Sequence, residues 1–191
     1  MARPRSDDKR NAILTAAIDV LAERGLAATP TSAISRAAGV AEGTLFTYFS
    51  TKDELVNVIY RELKQELADV LMLGLPRTAD CRRKFQHIWN GYVNWGAANP
   101  AKMQVMTQLR VATQITEESH AAGYAPFAEV EQMARESIRD KVLRDYPMPF
   151  IAAMMQSLAE TTMAFMVQEP DAAAHYRKSG FDVFWNGIAR R

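Results

Sequence analysis

Between Ala41 and Thr47 the chain sets Ala41, Glu42, Gly43, Thr44 and Thr47 along the outward side of what the spacing predicts to be a short helix. Short side chains there allow close approach to another surface. Two hydroxyls and a carboxylate supply the donors and acceptors that read base edges in a DNA major groove. Leu45, Phe46 and Phe49 recur at helical spacing on the other side, toward Ile34, Ala37 and Ala38 of a preceding short helix. Gly39 ends that first helix, because the residue after a helix C-terminus often adopts positive φ, which glycine does without steric penalty. Two short helices, one tight turn and a shared apolar face make a helix-turn-helix.

Other reactive side chains form weaker patterns. Cys81 stands near the first turn of a predicted helix and is followed by Arg82, Arg83 and Lys84, a setting that favours a thiolate and hence an alternative role in redox or electrophile sensing. It is the only cysteine, so no resolving thiol exists within the chain, and a bystander role is the expected one. His87, His120 and His175 are scattered. Glu117-x-x-His120 has the spacing of a helical di-iron half-site, but two copies and further glutamates are needed and one is present. With no zinc-helix motif, phosphate loop or nucleophile elbow, neither a cofactor, a metal nor an enzymatic activity is expected.

The elements that must position these residues read as helices throughout. The basic stretch Met1 to Arg5, with Arg3 and Arg5, is followed by a helix capped by Ser6 or Asp7, with Ile13, Ala17, Val20 and Leu21 inside and Gly25 at its end. Thr29 then Pro30 reads as a hydroxyl cap and a first-turn proline. Thr51 and Glu54 form a capping box for a long amphipathic helix through Leu55, Val58, Ile59, Leu63, Leu67 and Leu71. Asp80 caps the next helix and Asn99-Pro100 opens another. A helical stretch follows Thr116 with a break near Gly123 to Pro126, and two last helices run from Phe150 to Gln168 and from Asp171 to Ala189. No strand pattern, repeat or low-complexity segment is present.

The run from Gly25 to Leu55, with Thr29, Ile34, Ala38-Gly39-Val40, Gly43-Thr44-Leu45, Tyr48-Phe49 and Lys52-Asp53-Glu54-Leu55, resembles the DNA-binding domain of the TetR family of bacterial transcriptional regulators. The resemblance implies an all-α protein of about nine helices, with a three-helix helix-turn-helix domain at 1–50 and a ligand-binding and dimerisation domain at 51–191. It further implies that Thr29, Ala41, Glu42, Gly43, Thr44, Thr47, Tyr48 and Lys52 occupy DNA-contacting positions. Three residues depart from the family's pattern. Pro30 replaces a second hydroxyl residue, Phe46 replaces a tyrosine, and Glu42 stands where small or basic residues are usual. A carboxylate there opposes phosphate unless it accepts from a cytosine amino group.

The remaining expectations concern partners. Trp89, Tyr92, Trp95, Met103, Met106, Phe127, Met154 and Met155 are the candidate lining of an effector pocket for a hydrophobic or aromatic small molecule, since methionine adapts to irregular shapes and aromatic rings offer flat faces. Met163 with Phe181, Phe184, Trp185 and Ile188, the last four at i, i+3, i+4 and i+7, suggests a helix pair packing against its copy in a homodimer. A sequence-specific regulator, a repressor by resemblance, follows. It would bind a palindromic double-stranded DNA operator and be released by an effector; a helical small-molecule carrier is the alternative from another class. The 191 residues, 48% hydrophobic and 24% charged, suit a soluble globular chain. With no apolar run of bilayer length and no signal segment, a cytoplasmic protein without a membrane partner is expected. The net charge of +1 means that attraction to phosphate must come from local placement rather than overall field.

Overall fold

The computed structural model describes residues 7–190, so the basic stretch Met1 to Arg5 and the Ser6 cap lie outside the described residues. The helices are α1 Asp7–Arg24, α2 Thr31–Ala37, α3 Glu42–Tyr48, α4 Lys52–Met72, α5 Cys81–Ala98, α6 Pro100–Arg110, α7 Glu117–Tyr124, α8 Ala128–Arg139, α9 Met148–Gln168 and α10 Ala173–Ile188. Among the described residues no strand forms; Leu143 and Ala189 make one isolated bridge. The all-helical expectation holds. The stretch after Thr116 divides into α7 and α8 at the expected break, through a 3-10 turn, Ala125–Phe127, where Pro126 offers no N–H.

The chain packs as two compact units. The first takes the chain as far as Gln65 together with Asn99–Tyr124, and the second takes Glu66–Ala98 and everything from Ala125 onward. This division by packing differs from a functional boundary at residue 50: α4 continues from one unit into the other, and α6 and α7 belong with the helix-turn-helix.

In the first unit, Ile13, Leu14, Ala17 and Leu21 of α1 meet Ile34 of α2, Leu45 of α3, Leu55, Ile59 and Leu63 of α4, and Val105 and Leu109 of α6. Gly25 at φ +81 and Gly39 at φ +66 end α1 and α2 in the left-handed conformation that only glycine adopts cheaply. Two amides then fasten α6 and its following loop to this core. Gln108 accepts from the Leu26 N–H at 2.9 Å and donates to the Leu21 carbonyl, and buried Asn57 donates to the Gln114 carbonyl at 2.8 Å while accepting from the Thr116 N–H at 2.9 Å. Gly123 of α7 lies so close to α4 that an added Cβ would stand 2.6 Å from the Tyr60 ring. Burial, helped by Tyr124, pushes the Tyr60 phenol up to about 12, so its hydroxyl stays protonated beside His120 Nδ1 at 3.2 Å.

The second unit is built on aromatic packing among α5, α9 and α10. Trp89 is fully buried, its ring stacked on Phe184 at 5.8 Å and set against Phe181 at 6.4 Å, and its Nε1 donates to the Arg177 carbonyl at 2.9 Å. Asp80 caps α5 by accepting from the Arg83 N–H at 2.8 Å, as the sequence predicts. Among the described residues α9 is the helix whose length and composition would suffice to cross a membrane, whereas the sequence pattern suggests no run of that length. Its Phe150, Phe165 and Val167 are exposed within the single chain.

Candidate nucleic-acid interface

Helix α3 owes its position to apolar anchors rather than to its own length. Seven residues are too few for a stable isolated helix. Leu45 at 0% exposure and Phe49 at 2% pin it into the core, and the chain reaches it through Gly39 and the Val40 N–H, which donates to the Ser35 carbonyl at 3.0 Å. The opposite side is open. Ala41, Glu42, Gly43 and Thr47 are exposed, Thr44 and Tyr48 half-buried, and nothing lies within 4 Å of where a Gly43 Cβ would point. A flat, short-chained, hydrogen-bonding helix face on a rigid support is what a major groove admits.

Several predicted contact residues are committed within the protein. Thr29 is 1% exposed and its hydroxyl donates to the Gly25 carbonyl at 2.7 Å; it neither caps α2 nor faces outward. Pro30 takes the cap position, φ −79 and ψ 152, and the helix starts one residue later than the dipeptide suggests. Lys52 donates to the Leu26 carbonyl at 2.7 Å, which fixes its cation at the edge of a cleft lined by Ala27, Ala28, Thr29, Pro30, Thr31, Phe46, Ser50, Thr51 and Lys52. Thr47 bonds back to the Gly43 carbonyl at 2.9 Å. Phe46, expected to share the inner face with Leu45, is instead 43% exposed and forms a wall of that cleft. The capping box of α4 is present, with the Glu54 N–H bonded to Thr51 Oγ1 at 3.0 Å. Its return bond falls on the Ser50 N–H at 2.6 Å.

One pairing has no signature in the sequence. Thr31, at the start of α2, donates its hydroxyl to Glu42 Oε1 at 2.7 Å across the turn of the helix-turn-helix. Eleven residues separate the two, and only the crossing of α2 over α3 brings them together.

The residues expected to line an effector pocket are divided between the two units. Trp89, Tyr92 and Trp95 are buried core side chains of the second unit, and Trp95 Nε1 donates to Glu66 at 2.9 Å. Phe127, Met154 and Met155 are half-buried in that unit, while Met103 and Met106 pack in the first. The expected dimer residues are likewise turned inward. Phe181, Phe184 and Ile188 are at 0% exposure, Met163 is at 6%, and Trp185 sits 6.0 Å from Phe85 of the same chain. A stripe at i, i+3, i+4 and i+7 marks a buried face but does not name what buries it, and here it is the chain's own α5. The outer side of the same helices carries a shallow apolar groove of Phe150, Ala153, Met154, Ser157, Leu158, Val183 and Gly187.

Cys81 is half-buried and donates to Ser137 Oγ at 3.1 Å. Burial pushes its thiol above the ordinary range; the Ser137 hydroxyl and Lys84 offset part of that, and Asp80 adds to it. The thiolate that its place in the sequence favours is therefore suppressed. Alkylation by iodoacetamide at about neutral pH is expected to run several-fold slower than that of an exposed cysteine peptide, and its rate should keep rising with pH where the peptide's has levelled off. A rate equal to the peptide's at neutral pH would reject this. His120, the histidine of the di-iron spacing, is paired with Tyr60, and among the described residues no group of three or more metal-binding side chains assembles.

Residues 13–59 match the family model for bacterial regulatory proteins of the tetR family. A Mycobacterium tuberculosis protein named HTH-type transcriptional repressor Rv3405c is 43% identical over 65 residues, 34% of this chain and 35% of that one. The fatty acid metabolism regulator protein of Bacillus subtilis is 25% identical over 99 residues, 52% of this chain and 50% of its own length. The matched stretch thus spans half or less of these curated relatives. A solved structure from Shewanella sp. PV-4, assigned to the tetR family as a transcription regulator, superposes with a TM-score of 0.85 over 98% of this chain and all of that one at 26% identity. The helix-turn-helix carries the match to the tetR-family model, and the fold shared with a tetR-family transcription regulator extends over nearly the whole chain.

Proposed function

We propose that this chain is a sequence-specific DNA-binding transcriptional regulator that acts as a homodimer on a palindromic operator. In this reading it represses its target until a small hydrophobic or aromatic effector releases it. The observation that carries the reading is α3: a short helix anchored by Leu45 and Phe49 whose outward residues are small and hydrogen-bonding. Repression has the support of the mycobacterial relative's name, and a hydrophobic effector that of the Bacillus one. An effector acts by binding the two states of the dimer unequally, so it needs no contact with DNA.

The second copy is assigned to the outer faces of α9 and α10. Phe150 at 51% and Val183 at 58% exposure flank a groove whose lining is otherwise Ala153, Met154, Ser157, Leu158 and Gly187, and two-fold pairing of such a face is self-complementary. Two reading helices related by that axis call for half-sites about one helical turn, ~34–36 Å, or a multiple apart.

The test is selection of bound duplexes from a random library at physiological salt, with the wild type and a Phe150→Asp/Val183→Asp double variant. A palindrome of fixed spacing is expected from the wild type. The double variant should sediment as a monomer and bind the selected palindrome at least about a hundredfold more weakly, since each molecule then grips a single half-site. No enriched sequence would reject the regulator, and a monomeric wild type at micromolar concentration would reject the dimer.

A further inference from the structure

We infer that Glu42, held by Thr31, is a specificity-determining residue that commits each operator half-site to a cytosine. The inference rests on the proposed DNA-binding role and adds what the reading head selects. Glu42 is exposed, is the first residue of α3, and lies between Ala41 and Gly43, which extend no further than a methyl group. Its carboxylate therefore reaches furthest from this end of the helix. Oε1 accepts from the Thr31 hydroxyl at 2.7 Å, and Glu42 takes part in no ion pair among the described residues. The bond fixes a side chain that would otherwise move freely, and it leaves Oε2 open to accept a hydrogen bond.

A fixed, uncompensated carboxylate at a DNA face discriminates by what it cannot meet. Phosphates repel it, as do guanine N7 and O6, thymine O4 and adenine N7, all of which are acceptors. Two donors are offered in the major groove, cytosine N4 and adenine N6, and adenine sets N7 beside its amino group. Cytosine N4 alone presents a donor without a neighbouring acceptor on the same base. Glu42 thus lowers affinity for most sequences and spares those with cytosine in register, a penalty that serves selection. Thr31 is a positioning residue: its hydroxyl is used on Glu42 rather than on phosphate.

The experiment compares the duplexes selected from a random library by the wild type, Glu42→Gln, Glu42→Ala and Thr31→Val. Both positions are on or near the surface, so equal melting temperatures provide the folding check. The wild type should enrich one symmetry-related cytosine per half-site, and exchanging it for thymine in both halves should weaken binding about tenfold or more. Glu42→Ala should bind the two duplexes within about twofold of each other and with higher affinity for random DNA. Glu42→Gln should move the preference toward adenine, whose N6 and N7 match an amide. Thr31→Val should keep the cytosine preference but narrow it to roughly threefold as the carboxylate loses its anchor. If the wild type enriches a motif and Glu42→Ala enriches the same motif with the same cytosine dependence, the inference is overturned while the DNA-binding reading stands. If the wild type enriches nothing, both fall.

Discussion

Gly43→Asp is expected to leave the protein folded and to abolish specific duplex binding. Its backbone is outside the left-handed region and an added Cβ meets nothing within 4 Å, so no strain or clash arises in the free protein. Replacing glycine inside a helix removes about 0.5–1 kcal/mol of backbone entropy cost, and a carboxylate in a first turn is tolerated or favoured. Thermal unfolding should therefore be unchanged or a few degrees higher. On DNA the same side chain fills the space through which backbone approaches the groove, and it brings a second negative charge next to Glu42. Disrupting the base readout of one half-site costs about 1–3 kcal/mol, and the proposed dimer carries the substitution twice, so operator affinity should fall at least about thirtyfold. Gly43→Ala, smaller and uncharged, should fall between the variant and wild type. Wild-type operator affinity in the folded Gly43→Asp protein, by fluorescence anisotropy at physiological salt, would remove α3 from the interface.

That prediction rests on a part of the molecule whose sequence is unusually explicit. Gly39 needs positive φ, Asp80 caps α5, Thr51 and Glu54 cap α4, and Ile34 and Leu45 are at the core of the first unit. All are local effects, decided within a turn of helix, and periodicity and capping chemistry report such effects directly. The expectations that fail share the opposite property. Thr29 has the look of a cap because threonine before proline commonly is one; its hydroxyl instead turns back to Gly25. Spacing puts Phe46 inward with Leu45, yet seven residues give α3 one buried stripe, which Leu45 and Phe49 fill. The Thr31 to Glu42 bond depends on a helix crossing that nothing within either helix encodes.

In the second unit the limits are of a different kind. Apolar spacing in α10 marks Phe181, Phe184 and Ile188 as buried, which they are, but the pattern is the same whether the covering surface is α5 or a second protomer. The interface proposed for Phe150 and Val183 is invisible in the inner stripe because it lies on the other side of the same helices. Trp89 illustrates the same ambiguity for a pocket. A large aromatic residue at helical spacing serves equally as a cavity wall or as filling, and only its neighbours decide.

Those neighbours make Trp89→Ala the most damaging single substitution expected in the second unit. The indole is at 0% exposure, stacked within 15° of the Phe184 plane, and in contact with Phe181. Its Nε1 donates an additional hydrogen bond to the Arg177 carbonyl of α10, so truncation both opens a cavity and removes a bond between α5 and α10. Phe or Trp to Ala in a packed core costs about 3–5 kcal/mol, a large share of the roughly 5–15 kcal/mol that holds a domain together. The packing has no slack nearby: an added Cβ on Gly180 would stand 2.7 Å from the Trp89 ring and closer still to the Thr162 hydroxyl, so Gly180→Ala should destabilise the same joint by about 1–3 kcal/mol despite alanine's better helix propensity. Trp89→Phe keeps ring contact and should cost less than Trp89→Ala. Urea unfolding followed by circular dichroism measures all three. If Trp89→Ala instead cost under about 1 kcal/mol and gained affinity for a hydrophobic dye, the indole would be the wall of a cavity rather than its filling, and the effector site would be beside it.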